Sequence, residues 1–388
     1  MERFELLSSK KLEKIMHKIE NIRAALIGDL CLDVYWVADM TKSELSRETP
    51  HFPLPVIDER MSPGAGANVA ANIAALRPAA INVLGVVGED WRADALLKVM
   101  QTSGINIDGI VRSKEIITNA YCKPIRKGIS SVEYEDPRID FANYEDLPKE
   151  IEDELLKQLD RVIDQVDVLC ISDQLRFGCI TPAIREKIIS FGQKGKMVVV
   201  DSRDRIKEFK NVMLKPNEIE GYRAVYGTAI TDVLNEHEQH EYSDNDMNND
   251  IGNCVTVEKN TIKEMIPGSY INAAKILAKE NQAHVCMTLG PNGCLYTDGM
   301  RLIHVPGYKV QPPIDFCGAG DTFLSGFSCA MATGVKPWEA AAFANVAAEV
   351  IIKKIGTTGT ASPEEIRRRH KEIIEEKTSS NGNRDADQ

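Results

Sequence analysis

The sequence predicts an α/β layer sandwich built on a mainly parallel central sheet. Short β-branched runs recur along the chain, each apolar without alternation, which suits strands buried on both faces of a parallel sheet. Between them lie stretches with helical spacing, and strands alternating with helices give right-handed crossovers and covered sheet faces. The size permits this: 388 residues, 43% of them hydrophobic, hold a large core without staples.

In chain order, AALIGDLCLD (24–33) is the first buried strand. ANVAANIAAL (67–76) is small and apolar at helix spacing, and AINVLGVVG (80–88) returns to strand. DVLCIS (167–172), KMVVVD (196–201) and HVCMTL (284–289) continue the sheet. PAIREKIISFGQKG (182–195) opens on Pro and ends on Gly, as helices do. Residues 34–62 and 116–141 carry aromatics, charges and prolines, so they predict shorter, exposed strands forming a small lid off one sheet edge. Residues 230–262, with NEHEQHEYSDNDMNND, cannot bury enough surface to fold alone and predict a mobile acidic insert. Residues 377–388 predict a disordered tail on the same ground, leaving 1–376 as a single domain.

Forty-seven Lys and Arg against 58 Asp and Glu give a net charge of −11, the wrong sign for sequence-independent nucleic-acid binding. Nine cysteines, several in apolar runs (Cys31, Cys170, Cys286, Cys329) and none in C-x-x-C, look like buried thiols of a reducing compartment. The charged N-terminus has no apolar signal core, and no apolar run approaches a membrane span of about 18–20 residues. A cytoplasmic protein without membrane or nucleic-acid partners is expected.

Four segments carry candidate chemistry. In IDFCGAGDTFLSGFSCAMATG (314–334), Phe323, Leu324, Phe327, Ala330 and Met331 share one helical face, so a helix begins near Asp321 and stops at Gly334. Gly318-Ala319-Gly320 stands before it, where free N–H groups of a first turn stabilise an anion such as a transferring phosphoryl group. Asp321 is placed to take a proton from an attacking hydroxyl, or simply to cap the helix. In KPNEIEG (215–221), Asn217 and Glu220 sit three apart at a loop-to-helix step. They are oxygen ligands suited to Mg²⁺, or equally the two ends of a capping box.

In SPGAGANVAANIAAL (62–76), Gly64 and Gly66 allow close backbone approach, and Asn68 can hydrogen-bond sugar hydroxyls. No strand is expected to lead directly into this turn and the third glycine is missing, so a dinucleotide fingerprint is weak. No Walker-type phosphate loop occurs either. TLGPNGCLYTDG (288–299) is a buried strand, a Gly-rich turn and a hairpin. His237 and His240 fall in the acidic insert with no cysteine nearby and are read as solvated loop.

Taken in order, GDLCLD, the Gly/Asn segment at 64–68, PNEIE, TLGPNG and DFCGAGD resemble the PfkB (ribokinase-like) family of carbohydrate kinases over about residues 20–370. GDLCLDVYW, GANVAANIAAL, CISD and FANVAAEVIIKKIGTTGTASPEE are similar to the kinase domain of heptose 7-phosphate kinase, the kinase half of ADP-heptose synthase. The resemblance implies a ribokinase-like three-layer α/β/α sandwich with a small β-lid, often used for homodimerisation. It implies transfer of the ATP γ-phosphoryl group to a sugar or sugar-phosphate hydroxyl. Asp321 would be the base, and the N–H groups of Gly318, Ala319 and Gly320 the anion hole. Asn217 and Glu220 would organise Mg²⁺ and the triphosphate; Thr288, Gly290, Gly293 and Asn345 would border the nucleotide. Asp33, Gly64, Gly66 and Asn68 would face the sugar, and from charge, Lys123, Arg126 or Arg138 on the lid would neutralise an acceptor phosphate.

The chain departs from the family pattern in places. Phe316-Cys317 brings no threonine before the glycines, which bears on any monovalent cation site there; Gly64-Ala65-Gly66 replaces paired glycines, and Asp201-Ser202-Arg203 replaces D-P-x-R. No H-x-G-H motif occurs, so nucleotidyl transfer is not expected from these residues. The alternatives are a kinase for another sugar or a nucleoside, and a non-catalytic sugar- or nucleotide-binding regulator. A nicotinamide oxidoreductase ranks below both.

Overall fold

The computed structural model describes residues 1–129, 132–227, 266–356 and 358–382. From one edge, the main sheet runs Glu2–Arg3 (β1), Leu302–Val305 (β15), Cys294–Thr297 (β14), His284–Thr288 (β13), Met213–Leu214 (β12), Val198–Ser202 (β11), Val168–Asp173 (β10), Arg23–Gly28 (β2), Ala80–Gly88 (β5) and Asn106–Ser113 (β6). All pairings are parallel except β13 with β14 and β14 with β15. The lid is a second sheet of Val56–Ala65 (β4), Leu30–Asp39 (β3), Asn119–Lys127 (β7), Glu133–Glu135 (β8) and Ile139–Phe141 (β9).

The helices are Ser9–Ile19 (α1), Gly66–Ala75 (α2), Trp91–Thr102 (α3), Lys149–Val162 (α4), Pro182–Gln193 (α5), Glu218–Tyr226 (α6), Gly268–Glu280 (α7), Ala319–Ala332 (α8), Pro337–Ile351 (α9) and Pro363–Gly382 (α10). They cover both sheet faces, which is why the strands read as unbroken apolar runs. Successive residues alternate between two cores: Ala24 and Leu26 join one with Phe323, Phe327 and Phe343, while Ala25 and Ile27 join the other with Ile184, Ile188 and Phe191.

Several expectations need correction. The run 24–33 is two strands, not one. Asp29 divides it, because its buried carboxylate accepts the N–H groups of Gln174, Leu175 and Cys179 at 2.8, 2.7 and 2.8 Å and so turns the chain onto the loop after β10. The β3–β4 part of the lid therefore leaves from the end of an interior strand, while β7, β8 and β9 follow the edge strand β6 as expected, and β3 is long and largely buried. β4 does lead directly into the 64–66 turn, since α2 begins at Gly66.

The last helix also runs past Lys377 to Gly382, where disorder was expected. Lys377 Nζ meets Glu5 Oε2 at 2.8 Å and lies 4.8 Å from the Tyr308 ring centroid, so this stretch has partners that its composition hides. The acidic insert with His237 and His240, and residues 383–388, lie outside the described residues. Among the described residues, no helix is long and apolar enough to cross a membrane.

Candidate active site

The candidate residues gather outside the carboxyl ends of the parallel strands, where open α/β sheets bind ligands. α8 begins there at Ala319, two residues earlier than expected, with Gly318 as its cap at φ 77°. Only a residue without a Cβ enters this left-handed conformation freely. Asp321 is thus not the cap; it stands in the first turn and faces the site. Ala319 N–H turns back onto Phe316 O at 3.2 Å, so it does not serve the anion hole as expected. Among the described residues, the N–H groups of Gly318, Gly320 and Asp321 have no protein acceptor. They are the donors that the helix start offers an anion.

Asp321 is held from another helix. Asn68 Nδ2 donates to Asp321 Oδ2 at 2.7 Å, so the Asn68 amide addresses the base rather than lying free for a sugar. Burial pushes the Asp321 carboxyl up to about 6; the Asn68 bond pulls the other way, Asp201 adds to the rise, Lys215 opposes it and Asp33 adds a little. A carboxyl in that range exchanges protons near neutral pH, as general bases do.

Lys215 is the residue that sequence reasoning missed. It ends an apolar strand at the C-terminal edge, is 3% exposed, and its Nζ lies 3.1 Å from Asp201 Oδ2. Burial alone would lower its pKa, but Asp201 and Glu220 outweigh that and hold it above its ordinary value. Asn217 and Glu220 form a reciprocal capping box on α6: Glu220 N–H donates to Asn217 Oδ1 and Asn217 N–H to Glu220 Oε2, both at 2.8 Å. The cap does not exclude the ligand reading. Burial, with Asp201 nearby, pushes Glu220 up to about 7. Asp201, Glu220 and Asp321 gather around Lys215 with Arg203 also close, three carboxyls against two cations, and carboxyls crowded in this way suit a divalent cation. Among the described residues no three His, Cys, Asp or Glu converge to grip a metal.

Thr288 bridges to Asn217, its N–H donating to Pro216 O at 3.0 Å, so the TLGPNG turn lies beside the cap. Gly290 and Gly293 both have positive φ; a Cβ on Gly293 would sit 2.1 Å from Val305 O, so the turn admits only glycine there. Asn345 supports that turn from behind: its amide donates to Val305 O at 3.2 Å and Pro306 O at 3.1 Å, which commits both its N–H groups away from a nucleotide.

On the lid side, Asp33 is 5% exposed and its Oδ1 has no hydrogen-bond partner. A Cβ on Gly64 would lie 2.6 Å from that oxygen, so only glycine leaves the carboxylate its place here. Gly66 packs against Asp29 O, which accepts its N–H at 2.8 Å. Lys123 joins the site, 3.8 Å from Asp33 Oδ2 and donating to Tyr35 OH at 3.1 Å. Arg138 stacks 4.1 Å over the Tyr121 ring but is held bidentate by Asp140 at 2.6 and 2.7 Å. Arg126 is not brought in. Three residues along β7 from Lys123, it points to the opposite face and pairs with Asp136 at 2.5 Å.

With this geometry in view, residues 59–225 and 255–365 match the profile of the pfkB family carbohydrate kinases. The bifunctional protein HldE of Geobacter sulfurreducens is 29% identical over 367 residues, covering 93% of this chain and 65% of that protein. The HldE of Shewanella amazonensis is 30% identical over 348 residues, covering 87% and 62%. The chain thus spans under two thirds of the length of these relatives. Arabidopsis thaliana ribokinase, complexed with ribose and ATP, superposes with a TM-score of 0.61 at 18% identity, covering 90% of this chain and 99% of that one. Escherichia coli phosphofructokinase-2, in complex with potassium, gives 0.63 at 18% identity, covering 91% and 99%. These likenesses establish the ribokinase-like α/β fold.

Proposed function

Because the chain belongs to the pfkB family of carbohydrate kinases, we propose that it transfers the γ-phosphoryl group of ATP to a hydroxyl of a sugar phosphate, a heptose 7-phosphate. The observation that carries this is Asp321, aimed by Asn68 beside the unused N–H groups of a helix start. Similarity to two HldE proteins supports the heptose, and Asp33 supplies a buried acceptor oxygen for a sugar hydroxyl.

The acceptor hydroxyl gives its proton to an Asp321 oxygen as its own oxygen bonds to the γ-phosphorus. The bond from that phosphorus to the bridging oxygen breaks, and ADP leaves with the electron pair. The N–H groups of Gly318, Gly320 and Asp321 face the charge on the transferred group. Asn217 and Glu220, with Asp201 beside them, would hold Mg²⁺, which supplies charge neutralisation at the triphosphate when bound. Gly290, where a Cβ would meet nothing closer than 3.9 Å, would border the nucleotide with Gly293 and Thr288. A second copy of the chain covering the lid edge, where Val56, Ile57, Tyr134 and Ile139 are exposed, would make the homodimer.

A neutral acceptor is the second reading, favoured by the carboxylates that already face Lys123, Arg126 and Arg138. ADP release with Mg-ATP tests both, against heptose 7-phosphate, fructose 6-phosphate, ribose, fructose and a nucleoside. Turnover with only the phosphorylated heptose is expected; turnover with a neutral sugar alone selects the second reading. Light scattering reads the dimer in the same samples.

A further inference from the structure

The period of two along β4 places Arg60, Ser62 and Gly64 on one face. Register pairs Ser62 with Asp33 and Arg60 with Tyr35, so Arg60 looks out on the side that carries Asp33. A cavity of 360 Å³ opens there, lined by Tyr35, Arg60, Met61, Ser62 and Gly356. Its far wall adjoins the helix start of α8. Ser62 Oγ lies 3.4 Å from Thr358 Oγ1, and a Cβ on Gly318 would lie 3.7 Å from Thr358 Cβ. Gly356 N–H donates to Asp315 Oδ2 at 2.9 Å, three residues before Gly318. The space therefore lies along the lid, beside residues that pack on the helix start.

Arg60 is the cation in this space with unused hydrogen-bonding capacity. Its guanidinium lies 5.4 Å from the Tyr35 ring centroid. Among the described residues the one carboxylate within 4.0 Å is Asp58, at 3.9 Å, too far for a hydrogen bond. Lys123 differs, because Tyr35 OH and Asp33 already engage it. Arg60 stands two residues along the strand from Ser62, roughly 7 Å, and four from Gly64, roughly 13 Å. A six- or seven-carbon sugar spans that order of length between a reacting hydroxyl and a terminal phosphate. Guanidinium takes phosphate through two parallel N–H bonds, which gives direction as well as charge.

We propose that Arg60 is a specificity-determining residue, receiving the phosphate-bearing end of the acceptor in the cavity between β4 and the Gly356 turn. The assignment rests on the sugar-kinase reading for the identity of the acceptor, but binding tests it without turnover. Arg60 is exposed, so Arg60→Met should melt with wild type.

Two measurements are paired: calorimetric binding of heptose 7-phosphate and of the unphosphorylated heptose without nucleotide, and acceptor kinetics with Mg-ATP. Arg60→Met should weaken binding, and raise KM, for the phosphorylated sugar by about ten- to hundredfold. Its kcat should stay near wild type, the neutral sugar should be unaffected, and Arg60→Lys should restore part of the loss. Equal loss for both sugars, no loss for either, or no binding of the phosphorylated sugar by wild type overturns the assignment. If wild type transfers nothing yet binds heptose 7-phosphate through Arg60, the kinase reading fails and the anion site stands.

Discussion

Asn68 and Asp321 are joined by a 2.7 Å hydrogen bond between the first turns of two helices that start side by side. Buried side chains fix the pair in place. Thr322 Oγ1 donates to Asn72 Oδ1 at 2.8 Å, Asn72 Nδ2 donates to Asn68 O at 3.0 Å, and Ser325 Oγ donates to Val69 O at 2.9 Å. The orientation of the base is thereby set by the packing of α2 on α8, which comes from sequence positions 253 residues apart.

Asn68→Ala should leave the fold intact and keep the base protonated to higher pH. The lost bond lowers the Asp321 pKa at present, so the acid limb of the rate profile should move upward. A hydrogen bond to a charged group is worth about 1.5–3 kcal/mol, so turnover at pH 6 should fall about tenfold or more, with a smaller loss at pH 8. An equal loss at both pH values would mean that Asn68 acts on the substrate instead.

Asp321→Asn keeps the shape of the side chain and the backbone donors but removes the proton acceptor. Turnover should fall by about 10²–10⁴ while ATP still binds by calorimetry. Near wild-type turnover would remove Asp321 from the base role.

Much of this was legible because the chemistry sits at glycine-marked strand ends. Gly64, Gly293 and Gly318 each stand where a Cβ would crowd or a positive φ is needed, and each was visible as a glycine beside a polar residue. What was missed lies where a local pattern has two meanings. A lysine after an apolar run reads as the solvated end of a strand, yet Lys215 is buried because Asp201 on the next strand meets it. Asp29 sits inside an apolar run, and nothing local says that a loop 145 residues away supplies its hydrogen bonds. Arg126 lies an odd number of residues from Lys123, which places the two on opposite faces of any strand.

Ala65→Gly should stabilise the protein. Ala65 stands at φ 49°, ψ −129° between two glycines, a region that L residues enter only under strain of about 1–3 kcal/mol. Glycine relieves that and gives back about 0.5–1 kcal/mol in chain entropy. A net gain of about 1 kcal/mol should raise Tm by roughly 1 °C. A lower Tm would mean that the alanine methyl makes contacts worth more than the strain.

Arg369→Met should be among the costly substitutions. Arg369 Nε donates to Glu349 Oε2 at 2.9 Å, both side chains are buried, and Tyr308 N–H donates to the other oxygen at 2.7 Å. Burial already pushes Glu349 up to about 7 against those two partners. Removing one side of a buried pair costs about 3–5 kcal/mol. The stranded carboxyl escapes part of that by taking a proton, so denaturant melts should show a smaller loss at pH 5 than at pH 8. A loss independent of pH would mean that the guanidinium acts through packing.

The pH dependence of wild-type turnover follows from the same site. Asp321 is raised from 3.8 to about 6, chiefly by burial, so the folded chain holds its proton where the unfolded chain has lost it. Its contribution to stability is therefore greatest below 3.8 and declines as pH rises through that window, while its fitness as a base appears only above about 6. The acceptor kcat/KM at saturating Mg-ATP should fall with unit slope below about pH 6. Neighbouring charges identify the group that titrates. Lys215 lowers the Asp321 pKa and Asp201 raises it, so Lys215→Met should move the limb up and Asp201→Asn should move it down. Two partners of one ion pair shifting the profile in opposite directions is the signature of a charge effect on the base. Shifts of the same sign, or a limb near the ordinary aspartate value of 3.8, would place the titrating group elsewhere.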